Sequence, residues 1–298
     1  MMKSEVIQNE ETLDPQDWEA MRTLGHKMVD DLLDHLTDLR NLPAWQHAPE
    51  TVKNHFDTDV PNEPQDPQAV YEEYQEYIQP YLIGNKHPRF WGWVVGTGTV
   101  MGAFAELLAA GNNSPSGIMS YISANYVERQ VINWCKTMLN YPMDASGLLT
   151  SGCSASNLIG LTVARNTKAG YDLRKDGLQA APRKMVLYAS TETHSSVQKA
   201  VELLGLGSDS LRKIPVNECL QIDLKALKAA IQKDRQRGYL PFCVIGAAGT
   251  TNTGAIDDLN ALADICQDEG LWFHVDGAFG AWAAIAPWSK HLVSGMER

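Results

Sequence analysis

Residues 184–204 read KMVLYASTETHSSVQKAVELL, and this stretch decides the fold. Its first seven residues form a short apolar run of strand length, and residues 196–204 form a helix behind a polar loop. The same succession recurs on both sides. Residues 147–150 predict a short strand, followed by a glycine turn and a helix over 155–166. Residues 242–247 (FCVIGA) predict another strand, followed by a loop over 249–257 and a helix over 259–269. Residues 271–275 (LWFHV) predict the last one. Short apolar strands alternating with helices imply an α/β fold whose parallel sheet is covered on both faces. Ligands of such sheets sit beyond the carboxyl ends of the strands.

Upstream the pattern differs. Pro15-Gln16-Asp17-Trp18 opens a helix with Met21, Leu24, Met28, Leu32, Leu36 and Leu39 at three- and four-residue spacing. Pro43, Pro49, Pro61, Pro64 and Pro67 then break the chain into an extended connector. A short helix follows over 71–78, ended by Pro80. This part has little core of its own and is expected to pack on something larger, such as a second subunit. From His87 the composition changes. Gly92, Gly96, Gly98 and Gly102 lead to helices over 104–110 and 123–139, the second with Val127, Val131, Trp134 and Met138 on one stripe.

Bulk properties exclude several classes. With 44% hydrophobic and 20% charged residues, the body of the chain is not disordered. A formal net charge of -11 gives no general attraction for nucleic acid or anionic lipid. No apolar run reaches membrane-spanning length, and the polar, acidic opening lacks a secretory signal. Cys135, Cys153, Cys219, Cys243 and Cys266 are scattered, odd in number and without a CxxC pair. Free thiols in a reducing cytoplasm fit this better than disulfides or a zinc site, and no metal is expected.

The strand ends carry the chemistry. Thr150-Ser151-Gly152-Cys153-Ser154-Ala155-Ser156-Asn157 brings small residues to a helix start, where backbone N–H groups can approach a phosphate. The same segment also fits an ordinary tight turn. It is no P-loop, because no GK[ST] follows. His194 follows the next strand and could stack on an aromatic cofactor, or be a surface histidine beside a serine N-cap. The hydroxyls of Gly249-Thr250-Thr251-Asn252-Thr253-Gly254 either contact a ligand or close local turns. Asp276 ends the last strand, where a carboxylate is costly without a cationic partner. A protonated pyridine nitrogen would be one. Ala278 is small enough to lie against a ring, and His274 reads as a packed core residue.

Taken together and in order, these groups resemble the group II pyridoxal-phosphate (PLP) decarboxylases, which include the aromatic-L-amino-acid, glutamate and cysteine-sulfinate decarboxylases. The matching stretches are His87-Pro88-Arg89-Phe90, residues 151–158, Thr193-His194-Ser195-Ser196-Val197, Gly249-Thr250-Thr251 with Asp257, and His274-Val275-Asp276-Gly277-Ala278. The resemblance implies the large domain of a fold-type I PLP enzyme over 86–298, preceded by a helical, dimer-packing segment over 1–85. It implies PLP as cofactor and a homodimer with sites at the interface. Cys153 and Ser154 would hold the phosphate, His194 would cover the ring, and Thr251 would lie near its substituents. Asp276 would pair with the ring nitrogen, with Ala278 against the ring. His194 and Asp276 are thus the catalytic candidates.

The family's cofactor-binding lysine lies some tens of residues beyond the Asp276 position. The single lysine after Asp276 is Lys290, which precedes a histidine rather than following one and reads as a surface residue. The C-terminal small domain is likewise expected to be absent from these residues, and the chain alone is expected to be inactive. Trp93, Val94 and Val95 cover the family's substrate-pocket positions. Trp93 suits an aromatic side chain, where acidic-substrate members carry Asn-Gln at 92–93; Trp91 and Trp93 also fit simple packing. Decarboxylation of an aromatic L-amino acid is therefore the first expectation. An acidic or diamino substrate, an aldehyde synthase, an aminotransferase or a truncated non-catalytic dimer partner are the alternatives.

Overall fold

The structure, a computed structural model, describes residues 12, 14–115, 117 and 121–298. Most of the polar opening that was expected to lack a secretory signal lies outside the described residues. The chain divides into two compact units, Met1–Gly111 and Asn112–Arg298. Among the described residues no helix is long and apolar enough to cross a membrane.

The first unit is helical. Helix α1 (Trp18–Asp38) starts where the Asp17 carboxylate accepts from the Glu19 and Ala20 N–H groups. Helices α2 (Glu50–Phe56) and α3 (Pro67–Glu73) follow, and α3 continues as a π-helical turn, Tyr74–Ile78. Pro67 sits in the first turn of α3, where its missing N–H costs nothing. Helix α4 (Val100–Asn112) comes last. Among the unit's described residues, burial is confined to Leu24, Val52, Tyr71 and His87. Trp18, Trp45, Trp91, Leu107 and Leu108 are exposed.

The second unit is the α/β body. It opens with α5 (Ser123–Met138), α6 (Cys153–Lys168) and α7 (Leu173–Asp176). Then come β1 (Met185–Ser190), α8 (Ser195–Leu203), β2 (Leu211–Ile214) and α9 (Leu224–Gln236). Strand β3 (Leu240–Ala247), α10 (Leu259–Glu269) and β4 (Trp272–Asp276) complete it. The four strands lie in the order β2-β1-β3-β4, and every pairing is parallel.

Period-two alternation sends each strand's side chains to both faces. On one face Leu187, Ala189, Cys243 and Ile245 pack with Leu161 and Ala164 of α6 and Val197 and Val201 of α8. On the other, Val186, Tyr188 and Val244 pack with Leu227 and Ile231 of α9 and Leu262 and Ile265 of α10. All six residues of β1 are buried, as an apolar run between two helical layers requires. A polar cluster enters this core. The Tyr188 hydroxyl donates to Asp234 at 3.0 Å, and Arg212 grips the same carboxylate with Nε at 2.9 Å and Nη2 at 3.1 Å.

One expected strand is corrected. Residues 147–150 pair with no strand, and Leu148 and Leu149 are exposed. The Leu149 N–H, which a ladder would use, donates instead to the Glu128 carboxylate at 2.9 Å. The fourth strand is β2, whose sequence Leu-Arg-Lys-Ile puts two charges into a four-residue edge strand.

Candidate active site

Parallel strands end on one edge, so β1, β3 and β4 deliver their loops to a common rim. Ala247 and Asp276 are register partners at the ends of β3 and β4, and the Ala248 N–H donates to the Asp276 carbonyl at 2.9 Å. Asp276, Ala278, Thr251, His194, Cys153 and Ser154 all belong to this second unit.

The Asp276 carboxylate has three neutral donors. Asn157 Nδ2 reaches Oδ2 at 3.1 Å, the Cys153 thiol reaches Oδ1 at 3.5 Å, and the Ala278 N–H reaches Oδ1 at 3.3 Å. Among the described residues, the donors that hold this half-buried carboxylate are an amide, a thiol and a backbone N–H, all neutral. The chemistry of this donor set suits a cationic ligand nitrogen. Cys153 is not poised as a nucleophile. Burial, followed by the charge and hydrogen bond of Asp276, pushes its thiol up to about 11, so it stays an S–H donor near neutral pH.

Cys153 and Ser154 open α6 behind Gly152, whose backbone (φ 151, ψ 168) is a region open essentially to glycine. No side chain caps this helix. Its first-turn N–H groups and the positive end of its dipole are therefore offered to an anion. Thr150 shapes the turn: its hydroxyl donates to the Gly152 carbonyl at 3.1 Å and lies 2.7 Å from Ser156 Oγ.

His194 is itself the N-cap of α8, a role expected of a neighbouring serine. Its Nδ1 accepts the Ser196 N–H at 3.2 Å and lies 2.8 Å from Ser196 Oγ. A backbone N–H can only donate, so Nδ1 is the acceptor and a neutral His194 carries its proton on Nε2. The residue is exposed, and its ring is held at one nitrogen.

Thr251 is exposed on the loop after β3. That loop is pinned by Asp257, which is buried and accepts from the Ala247 N–H at 2.8 Å and the Ile222 N–H at 2.7 Å. Burial raises the Asp257 carboxyl above its ordinary value, against the pull of those two N–H groups. Ala278 is exposed in the turn after β4. Gly280 allows this turn to lie on the end of β3, because a Cβ there would collide with the Ala248 carbonyl oxygen.

Three residues carry more than the sequence assigned them. Asn157 is buried and touches Asp276, Cys153, Ser196 and His274, and Ser196 is buried beneath His194. Both sit in quoted motifs, but a short polar side chain near a helix start reads as a cap until the register is known. His274, read as a bare packing residue, shares the face of Asp276 two residues along β4 and bonds Asn157 at 2.8 Å. Trp93, Val94 and Val95 are carried by the first unit and are exposed. Trp93 holds a left-handed backbone (φ 58). Lys290 is exposed on the 3-10 turn Lys290–Val293.

Comparison with known proteins gives one consistent picture. The profile of the pyridoxal-dependent decarboxylase conserved domain matches residues 49–298. An aromatic-L-amino-acid decarboxylase of Bacillus atrophaeus is 36% identical over 282 residues, covering 94% of this chain and 57% of the relative. The crystal structure of Rhodiola rosea 4-hydroxyphenylacetaldehyde synthase matches with a TM-score of 0.85 at 26% identity, covering 95% of this chain and 62% of that one. Tryptophan decarboxylase of Catharanthus roseus, solved with L-tryptophan, gives the same four figures. The chain therefore spans under two thirds of the length of these relatives.

Proposed function

The chain belongs to the pyridoxal-dependent decarboxylase family, and from that premise we propose that it forms the PLP-binding body of an enzyme converting an L-amino acid to its amine and CO2. The observation that carries this reading is Asp276: a strand-end carboxylate whose donors among the described residues are neutral, on the same rim as an uncapped helix start and an exposed imidazole.

In this reading the first turn of α6 at Cys153 and Ser154 binds the phosphate. His194 covers one ring face, Ala278 leaves room against the ring, and Thr251 lies near its substituents. Asp276 holds the proton on the ring nitrogen. PLP, when bound, supplies an electron-accepting ring that stabilises the charge left at the substrate's Cα. The protein contributes orientation and fixed electrostatics. Asn157 and Cys153 keep the Asp276 carboxylate aimed, and Ser196 keeps the His194 ring in place. The lysine that binds the cofactor covalently is assigned to residues outside 1–298, and turnover to the longer protein.

An aromatic substrate is the favoured class. It is supported by the aromatic-substrate relatives and by the exposed indole of Trp93. Homodimerisation is supported by the first unit, which leaves many apolar side chains exposed over a small core. Five free cysteines support a reducing cytoplasm. A second reading, aldehyde formation, is favoured by the synthase among the structural matches. The test is product analysis with the full-length protein and carboxyl-labelled aromatic amino acids. Labelled CO2 with the amine supports decarboxylation; labelled CO2 with the aldehyde supports the second reading. Retention of the label in a keto acid would overturn both.

A further inference from the structure

The aim of Asp276 is set from two residues back along its own strand. His274 and Asp276 are two apart on β4 and face the same side, toward α6. Between them lies the amide of Asn157. Its Nδ2 serves Asp276 Oδ2 and Ser196 Oγ, both at 3.1 Å. A carboxylate can only accept, so the nitrogen of the amide faces Asp276 and its oxygen faces His274. His274 Nε2, 2.8 Å from that oxygen, must therefore be the N–H donor. Burial agrees with a neutral ring, holding the His274 pKa below its ordinary 6.5 against the pull of Asp276.

The fold makes room for this arrangement. A Cβ at Gly160 of α6 would lie 2.7 Å from His274 Cε1 and 2.9 Å from Nδ1. Glycine lets the helix close onto the ring, and the ring is clamped with Nε2 toward Asn157. Beyond Asn157 the direction of donation continues. Ser196 Oγ receives the amide proton and is left with its own proton for His194 Nδ1, 2.8 Å away. Every donor in the string points away from His274, toward Asp276 on one branch and His194 on the other.

We infer that His274 is a positioning residue, which orients the Asn157 amide and through it fixes both Asp276 and His194. This inference rests on the functional reading above, in which those two residues meet the cofactor ring. Without the Nε2–H donor, Asn157 can rotate, and Asp276 loses its shortest hydrogen bond.

The test uses the full-length protein with His274→Phe, which fills the space without a donor, and His274→Gln, which restores an N–H at similar reach. The probe is pyridoxal 5′-phosphate with a 15N-labelled ring nitrogen. His274→Phe is expected to weaken cofactor binding about tenfold, the effect of one aligned hydrogen bond to a charged group. It is also expected to move the ring-nitrogen signal toward the unprotonated form. His274→Gln is expected to restore both to within about twofold of the parent. Equal behaviour of parent and His274→Phe, or equal impairment of both variants, overturns the inference. Should His274→Phe fail to fold, the imidazole 15N spectrum of the parent decides: a proton on Nε2 supports the inference and a proton on Nδ1 overturns it. If the parent binds no cofactor, the functional reading falls instead. The positioning role is then judged without cofactor, where faster exchange of the Asn157 side-chain amide in His274→Phe supports it and unchanged exchange overturns it.

Discussion

The Cys153 thiol faces the Asp276 carboxylate at 3.5 Å, across the gap between the first residue of α6 and the last residue of β4. This contact makes a cysteine at a helix start, normally an activated position, into an inert donor. Burial and the adjacent charge hold its pKa near 11, so almost no thiolate exists at pH 7. Cys219 is exposed. Iodoacetamide at pH 7.5 is expected to label Cys219 at least about tenfold faster than Cys153, by peptide mass spectrometry. Equal labelling rates would show that the thiol is not held by Asp276.

Asp234 is the ionic anchor of the sheet. Burial works to raise its pKa, but the Arg212 guanidinium and the Tyr188 hydroxyl outweigh that and hold it below the ordinary 3.8. Its folded-state pKa is thus depressed. The stability it contributes is present above 3.8 and lost as pH falls through the lower folded value. Asp234→Ala leaves the Arg212 charge partly buried and unpaired, and is expected to cost about 3 kcal/mol in urea unfolding at pH 7. The gap between parent and variant should narrow toward pH 3. A gap independent of pH would refute the assignment.

Strands β1, β3 and β4 were legible because strands of a parallel sheet read as continuous apolar runs, although β4 is only half-buried. The run Met185–Ser190 is wholly buried, as its composition demands. Residues 147–150 were misread because Leu148-Leu149 is equally apolar, and the sequence does not reveal that Glu128 takes the N–H a neighbouring strand would need. Strand β2 was missed because Arg212 and Lys213 break its apolar character, while its edge position tolerates them. In the site, Asp276 and His194 were legible as groups at or just past strand ends, and Cys153 as a group at a helix start. Asn157 was not, since its importance lies in contacts 119 residues away at Asp276 and 39 away at Ser196.

Gly160 is a packing glycine and not a flexible one. Its missing Cβ is the space in which the His274 ring sits. Gly160→Ala is expected to destabilise the protein by about 1–3 kcal/mol, the usual cost of overpacking. Thermal unfolding would measure it. A stabilising effect, as expected of alanine in an unobstructed helix, would contradict the packing of α6 on β4.

Asp257 holds the loop that carries Thr251. Asp257→Ala removes the acceptor of two backbone N–H groups, at Ala247 and Ile222. Leaving each of them unpaired costs about 1–3 kcal/mol. Hydrogen exchange at those two amides is expected to accelerate well beyond that of the β1 amides. Unchanged protection at Ala247 would mean that the loop is held by other bonds.

Asp276 as the cofactor's anchor is tested by an equilibrium titration. Pyridoxal 5′-phosphate is added to the full-length protein and to its Asp276→Ala variant, and binding is followed by protein fluorescence. Saturable binding to the parent is expected, with affinity weaker by at least about tenfold in the variant, the loss of one charge-assisted contact. Equal affinity of the two folded proteins would contradict it.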